Sequence, residues 1–108
     1  MAQWYEYGRA TTPEGDELVR NESVTVGTSS VVLATARKRQ EFAVINNSTA
    51  GQIITICRGT NNATAGKGVP LGPGTMWIES NGEGYKCCQS VVTAISNAAA
   101  GTVCVMER

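Results

Sequence analysis

Short apolar runs and turn-forming residues alternate along the chain from position 23 onward. The runs are rich in Val, Ile and Thr, which favour strands, and Gly, Asn, Ser and Pro separate them. Seven runs stand out, at 23–26, 30–35, 41–46, 52–58, 75–79, 90–96 and 101–106. The pattern predicts an all-β fold over residues 23–108: a small antiparallel β-sandwich, or a jelly-roll-like barrel, of about seven to eight strands.

Helices are disfavoured because β-branched residues dominate the apolar positions and turn formers interrupt every stretch of helical length. The exception, SNAAA at 96–100, is short enough to be a turn between two strands. The run VPLGPGT at 69–75 contains two prolines and predicts a bend or an edge, since proline cannot donate to a ladder. It leads into a strand carrying Trp77, for which we expect a core position; an aromatic binding platform is the alternative.

Residues 1–22 have no sustained period of 2 or 3.6 and contain Trp4, Tyr5 and Tyr7, three of the six aromatic residues. We expect an extended N-terminal arm whose aromatic side chains pack on the body or on another subunit. A disordered terminus is the alternative, because chain ends are often loose. The predicted organisation is therefore an arm at 1–22 followed by one β-sandwich domain at 23–108.

Charge adds a second contrast between the arm and the body. Nine Lys and Arg balance nine Asp and Glu, so the chain lacks the broad positive field that attracts nucleic acid. Five acids and two bases lie in the first 22 residues: Glu6, Glu14, Asp16, Glu17, Glu22, Arg9 and Arg20. The acidic segment is therefore expected to dock on a basic surface of a neighbouring copy.

Size and hydropathy limit the cellular context. A domain of 108 residues buries a modest share of its surface, which makes a homo-oligomer a reasonable expectation. No apolar run approaches the roughly 20 residues needed to span a bilayer, and the N-terminus does not resemble a secretory signal. We therefore expect no membrane partner and no classical secretion.

The residue types offer little for catalysis. Histidine is absent, which removes the commonest general base and excludes Ser-His and Cys-His nucleophile pairs. Glu79, Glu83 and Glu107 lie near strand ends, where solvated charge is the ordinary explanation. These features predict a protein that is not an enzyme and has no cofactor; an enzyme domain is the least favoured alternative.

The four cysteines do not have metal-ligand spacing. Cys87 and Cys88 are adjacent, and neighbouring side chains on a strand point to opposite faces. We expect Cys57 and Cys104 to be small buried hydrophobic residues and expect no metal site. A disulfide is possible in an oxidising medium, but the sequence does not determine the pairing.

Arg37, Lys38 and Arg39 form the most concentrated basic cluster, in a predicted loop between two strands. One interpretation is contact with an acidic surface or a phosphate group. The other is a solvated hairpin tip that protects a sheet edge from aggregation.

Four segments between about residue 30 and 106 combine strand and turn residues in one arrangement: VVLATARKRQEFAVINNST, QIITICRGT, VPLGPGTMWIE and TAISNAAAGTVCVMER. This stretch resembles small β-sandwich modules of bacteriophage virions, including capsid decoration proteins, head fibres and tail appendages. The resemblance implies a non-enzymatic structural subunit, often a symmetric oligomer; a capsid decoration protein on the outer surface of a shell, binding the major capsid protein or other virion subunits, is favoured. We expect synthesis in the host cytoplasm and a homo-oligomer, with a trimer favoured.

Two binding modes follow from this expectation. In a decoration protein, the arm and the basic loop would fasten the sandwich to the shell. The expected partner-binding residues are then Trp4, Tyr5, Tyr7, Arg9, Arg37, Lys38 and Arg39. The alternative is a receptor- or glycan-binding module of a fibre or tail appendage, which would use the Asn-rich loops and Tyr85.

Overall fold

The structure, a computed structural model, describes residues 20–49 and 51–108. These residues form eight strands and no helix, as the alternation of apolar runs and turns predicts. The strands are β1 (Arg20–Val26), β2 (Val31–Ala34), β3 (Glu41–Asn46), β4 (Ile54–Arg58), β5 (Val69–Leu71), β6 (Met76–Ser80), β7 (Val92–Ser96) and β8 (Gly101–Glu107). The all-β prediction is confirmed.

The strands form two four-stranded antiparallel sheets that pack face to face. The first sheet has the order β1-β8-β3-β6 and the second has the order β2-β7-β4-β5. The pairings are nested, because β1 pairs with β8, β2 with β7, β3 with β6 and β4 with β5. This nesting is the topology of a jelly roll, in which two antiparallel sheets enclose one core.

The core lies between the sheets and is built from alternate positions of the central strands. Phe42 and Val44 of β3 face Ile54 and Ile56 of β4, and all four side chains are almost completely buried. Each such side chain contributes roughly 1.5–3 kcal/mol by leaving water. The same alternation in the other strands adds Val26, Leu33, Val92, Ala94, Val103 and Val105 to the core.

Most strand bounds lie within two residues of the predicted runs, and two differences are larger. Strand β1 begins at Arg20, three residues before the predicted start of the sandwich, because its ladder with β8 continues to Glu107. The run with Pro70 forms the short strand β5 at the edge of the second sheet. Its ladder with β4 has only three residue pairs, with Pro70 opposite Thr55, and proline is tolerated at such an edge.

The connecting loops gather at two ends of the sandwich, because neighbouring strands are antiparallel. One end carries loops 27–30, 47–53, 72–75 and 97–100 and is called the neutral end below. The other end carries loops 35–40, 59–68 and 81–91, together with the start of β1 and the end of β8. It is called the charged end, and it positions most of the candidate functional side chains.

Candidate partner-binding surfaces

Charged residues are segregated to one end of the molecule. In residues 20–49 and 51–108 every Lys, Arg and Glu lies in the charged end's loops or in the strand residues next to them. They comprise Arg20, Arg37, Lys38, Arg39, Arg58, Lys67, Lys86 and Arg108 with Glu22, Glu41, Glu79, Glu83 and Glu107. Eight bases against five acids give this region a net charge of +3, whereas residues 1–19 have four acids and one base.

Arg39 is a correction to the predicted partner-binding set. Its side chain is buried, and its Nε donates to Oε1 of Glu107 at 2.9 Å. Its other nitrogens donate to the carbonyl oxygens of Thr35, Cys88 and Ser90. Arg39 therefore holds loops 35–40 and 81–91 together and is not exposed to a partner.

Glu107, expected to be solvated, is a buried anchor for several basic residues. Besides Arg39, it accepts a hydrogen bond from Nη1 of Arg20, and Nη1 of Arg37 lies 3.9 Å from its Oε2. Arg20 also pairs with Glu22 and donates to the carbonyl oxygen of Leu33 at 3.0 Å. Burial of a carboxylate is tolerated here because cations and hydrogen bonds surround it.

Two of the other predicted partner-binding residues lie among the described residues. Lys38 is exposed and Arg37 is partly exposed, so these two side chains are accessible at the charged end. Trp4, Tyr5, Tyr7 and Arg9 lie outside the described residues, as does the rest of the arm up to position 19.

A groove of ≈ 580 Å³ opens at the charged end between the end of β4 and loop 81–91. Three basic residues line it, Arg58, Lys67 and Lys86, and we call it the basic groove. Tyr85 is 48% exposed on its wall, and Glu79 is the acid that contributes to the lining. Loop 59–68 supplies Lys67 and crosses the second sheet, where the thiol of Cys57 donates to the carbonyl oxygen of Lys67 at 3.1 Å.

Glu79 is buried in the floor of this groove, contrary to the expectation of a solvated carboxylate. Its Oε2 accepts from Nη1 of Arg58 at 2.6 Å and from the indole Nε1 of Trp77 at 3.1 Å, and its Oε1 accepts from the backbone N–H of Cys88 at 2.9 Å. Burial alone would raise the pKa of Glu79. The Cys88 N–H and the Arg58 guanidinium outweigh that effect, so the pKa lies below its ordinary value.

Trp77 supports the groove from below. Its side chain is half-buried against the core, and the guanidinium of Arg58 lies over its ring at 5.4 Å from the centroid. Such a cation–π contact orients Arg58 in addition to the ion pair with Glu79. The predicted packing role of Trp77 agrees with this position, which joins the core to the groove.

The outer face of the first sheet is apolar over three adjacent strands. Met106, Ala43 and Ile78 form one row across β8, β3 and β6, and Cys104, Ile45 and Met76 form the next row. Ile78 is 58% exposed and Met76 is 51% exposed, while the other four are partly buried. We call these six side chains the apolar face.

Polar groups border the apolar face. Asn21 and Ser23 continue its two rows onto β1. The exposed pair Glu41–Arg108 lies beyond Ala43, with Arg108 Nη2 at 3.1 Å from Glu41 Oε2. A cavity of ≈ 370 Å³ lies at this border, lined in part by Ile78 and Met106. An apolar centre with a polar rim is typical of protein interfaces.

The sequence contains a signal for this face that the strand prediction did not use. The segments FAVI in β3, MWI in β6 and VCVM in β8 are apolar at successive positions, so both faces of the first sheet carry apolar side chains. Cys104 accordingly lies on the outer face and not in the core where it was expected.

The cysteines and acids form no further site within the described residues. All four cysteines are free thiols, and Cys57 is buried as expected. Within residues 20–49 and 51–108, no group of three or more Cys, Asp or Glu side chains is arranged to hold a metal ion.

Comparison of the chain with models of protein families, with curated proteins and with solved structures gives no match in any of the three. No helix among the described residues is long and apolar enough to cross a membrane. A functional assignment must therefore be argued from the surfaces themselves.

Proposed function

We propose that this chain is a non-enzymatic structural protein of a bacteriophage virion, a capsid decoration protein that binds the outer surface of a shell as a symmetric oligomer. The apolar face is the observation that carries the proposal. Solvent exposure of Met76 and Ile78 beside four further apolar side chains is unfavourable in an isolated domain, and a covering protein surface removes that cost.

A second copy of this chain is the proposed occupant of the apolar face. The face has no charged residue at its centre, and the charges at its border balance, which leaves no net repulsion between copies. The border charges are Glu41, Glu107, Arg20 and Arg108. Small domains gain stability from neighbouring subunits, and closed symmetric oligomers are the common outcome.

Two further observations support the proposal: the fold, and the resemblance of residues 30–106 to virion modules. Jelly rolls occur in viral capsid proteins, and also in lectins and cupins, so the topology is compatible with a shell protein without selecting it. On a shell, one weak contact repeated in many copies would give firm attachment through avidity.

The second candidate function is a receptor- or glycan-binding module of a fibre or tail appendage. Tyr85 favours it, because this exposed aromatic ring lies on a concave and polar groove. The two candidates place the protein differently on the particle, on the shell surface or at the tip of an appendage.

Location on the particle tests the proposal and separates the candidates. Purified virions of the phage that carries the gene would be imaged by electron cryomicroscopy and analysed by mass spectrometry. We expect a copy number in the hundreds and density on the outer shell lattice. A few copies at an appendage tip would overturn the decoration role in favour of the alternative, and absence from the particle would overturn both.

A deletion that leaves β1 intact tests whether the arm attaches the protein to the shell. Removal of residues 2–22 would take away Arg20, whose guanidinium binds Glu107, so the deletion should end at residue 19. We expect the 2–19 deletion to leave a folded β protein that no longer binds shells purified without it. Retained shell binding would contradict the role of the arm.

A further inference from the structure

We propose that the basic groove is a binding site for the acidic segment at residues 14–17 of this chain. The segment has the sequence EGDE and contains Glu14, Asp16 and Glu17. The basic groove is separate from the apolar face. The result of a test at the groove is therefore independent of the contact between copies on which the proposed function rests.

The groove has an excess of positive charge that its own residues do not satisfy. Glu79 is its lining acid, and this carboxylate is already engaged by Arg58, by Trp77 and by the backbone of Cys88. Lys67 and Lys86 are exposed on the walls and raise the net charge of the lining to +2. An anionic peptide with closely spaced carboxylates fits this arrangement.

The acidic segment carries the complementary charge. Residues 1–19 have a net charge of −3, equal and opposite to that of the rest of the chain, and three of their four acids fall within 14–17. The charges of residues 1–19 and of residues 20–108 therefore cancel each other. A saccharide in the same groove would leave both charge excesses uncompensated.

The segment also precedes β1, which begins at the charged end. Through the pairs Arg20–Glu107, Glu107–Phe42 and Phe42–Glu79, the first residue of β1 lies three strands, about 14 Å, from Glu79 of the groove. Arg20 donates to Glu107, which pairs with Arg39, and Arg39 donates to the carbonyl oxygen of Cys88 on the groove wall. Residues 14–17 come three to six positions before Arg20, a reach of about 10–20 Å for an extended chain. The groove is thus accessible to the segment of the same copy and, in an oligomer, to that of a neighbour.

Backbone amide signals of the full chain provide the test. The triple variant Glu14→Gln, Asp16→Asn, Glu17→Gln removes the negative charges, and two-dimensional 15N–1H spectra report on the groove at Lys67, Lys86 and Gln89. We expect these signals to move in the variant while those of the core strands stay in place. The wild-type signals should move to the same positions in about 0.5 M salt, where the Debye length falls to a few ångströms.

A synthetic peptide of residues 1–19 then identifies the lysines that bind it. Added to the triple variant, it should return the groove signals toward their wild-type positions. Combining the triple variant with Lys67→Gln and Lys86→Gln should weaken peptide binding at least tenfold. The matched control Lys38→Gln removes a lysine of the same end that does not line the groove and should change the affinity less than twofold.

Two results would overturn the proposal. Groove signals that shift neither on the triple substitution nor on addition of the peptide would show that the segment binds elsewhere or not at all. An equal loss of affinity in the Lys38→Gln control would show a diffuse charge effect and no defined site. Dilution of the protein shows which copy supplies the segment. Groove signals that keep their wild-type positions on dilution indicate the segment of the same copy. Groove signals that move to the positions of the triple variant on dilution indicate the segment of a neighbouring copy.

Discussion

Arg39 and Glu107 form a buried ion pair, with Nε of Arg39 at 2.9 Å from Oε1 of Glu107 and both side chains withdrawn from solvent. Glu107 lies opposite Arg20 of β1 and Phe42 of β3 in the ladders of the first sheet. The guanidinium of Arg39 also lies over the Phe42 ring at 5.5 Å from the centroid. The pair thereby joins three strands and two loops at the charged end.

Glu107→Gln is predicted to destabilise the protein strongly, because Arg39 would remain buried without a counter-charge. Removal of one partner of a buried pair costs about 3–5 kcal/mol in the free energy of unfolding. The matched control is Glu41→Gln, which breaks the exposed pair with Arg108 and should cost about 1 kcal/mol or less. Urea unfolding measures both, and equal effects of the two substitutions would show that the buried pair has no special role.

Glu79 is predicted to make stability dependent on acid pH. Because its pKa in the folded protein lies below the ordinary value of 4.5, ionised Glu79 stabilises the fold above that pH. This contribution is lost as the pH falls through the lowered pKa of the folded state. The difference in unfolding free energy between the wild type and Glu79→Gln should therefore be constant near neutral pH and shrink below pH 4.5. A difference that grows in acid would contradict the assignment.

Asn46→Ala is predicted to destabilise the neutral end. The Asn46 side chain is fully buried, and its Nδ2 donates to the carbonyl oxygens of Leu71 at 2.7 Å and Gln52 at 3.0 Å. The substitution leaves these acceptors without a partner, which costs about 1–3 kcal/mol. Asn47→Ala next to it changes an exposed side chain and should cost much less. Thermal unfolding compares them, and similar melting temperatures would refute this role of Asn46.

Gly101→Ala is predicted to strain the contact between the two sheets. A Cβ at position 101 would lie 2.7 Å from Cδ1 of Ile54 and 2.8 Å from the carbonyl oxygen of Val26. Overpacking of this kind costs about 1–3 kcal/mol in the free energy of unfolding. A Cβ at Gly27 would meet no atom within 4 Å, so Gly27→Ala is the control. Chemical denaturation measures the free energy of unfolding of both variants. Equal values for Gly101→Ala and Gly27→Ala would contradict the close packing at Gly101.

The sequence predicted the strands well because alternation and turn residues are local signals. The run at 41–46 has the same bounds as β3, and SNAAA at 96–100 contains the predicted turn before β8. Strand β5 was anticipated only as a bend or an edge, since three residues that include Pro70 carry no period. The nesting of the strands required long-range pairings that no local pattern encodes.

The candidate surfaces were harder to predict because their partners are distant in sequence. Glu107 is 68 residues from Arg39, so a carboxylate at a strand end was expected to be solvated. Arg39 was expected to be exposed with Arg37 and Lys38, although it turns into the interior. The basic groove likewise depends on the meeting of Arg58, Lys67 and Lys86, which belong to three separate segments.

The assembly of copies through the apolar face is most directly tested by the molar mass of the protein in solution. Sedimentation equilibrium would compare the wild type with Ile78→Lys, which charges the face, and with Val32→Lys, which charges a similarly exposed apolar residue of the second sheet. We predict a closed oligomer for the wild type and for Val32→Lys, and a folded monomer for Ile78→Lys. A monomeric wild type, or an Ile78→Lys variant with the wild-type mass, would contradict the account.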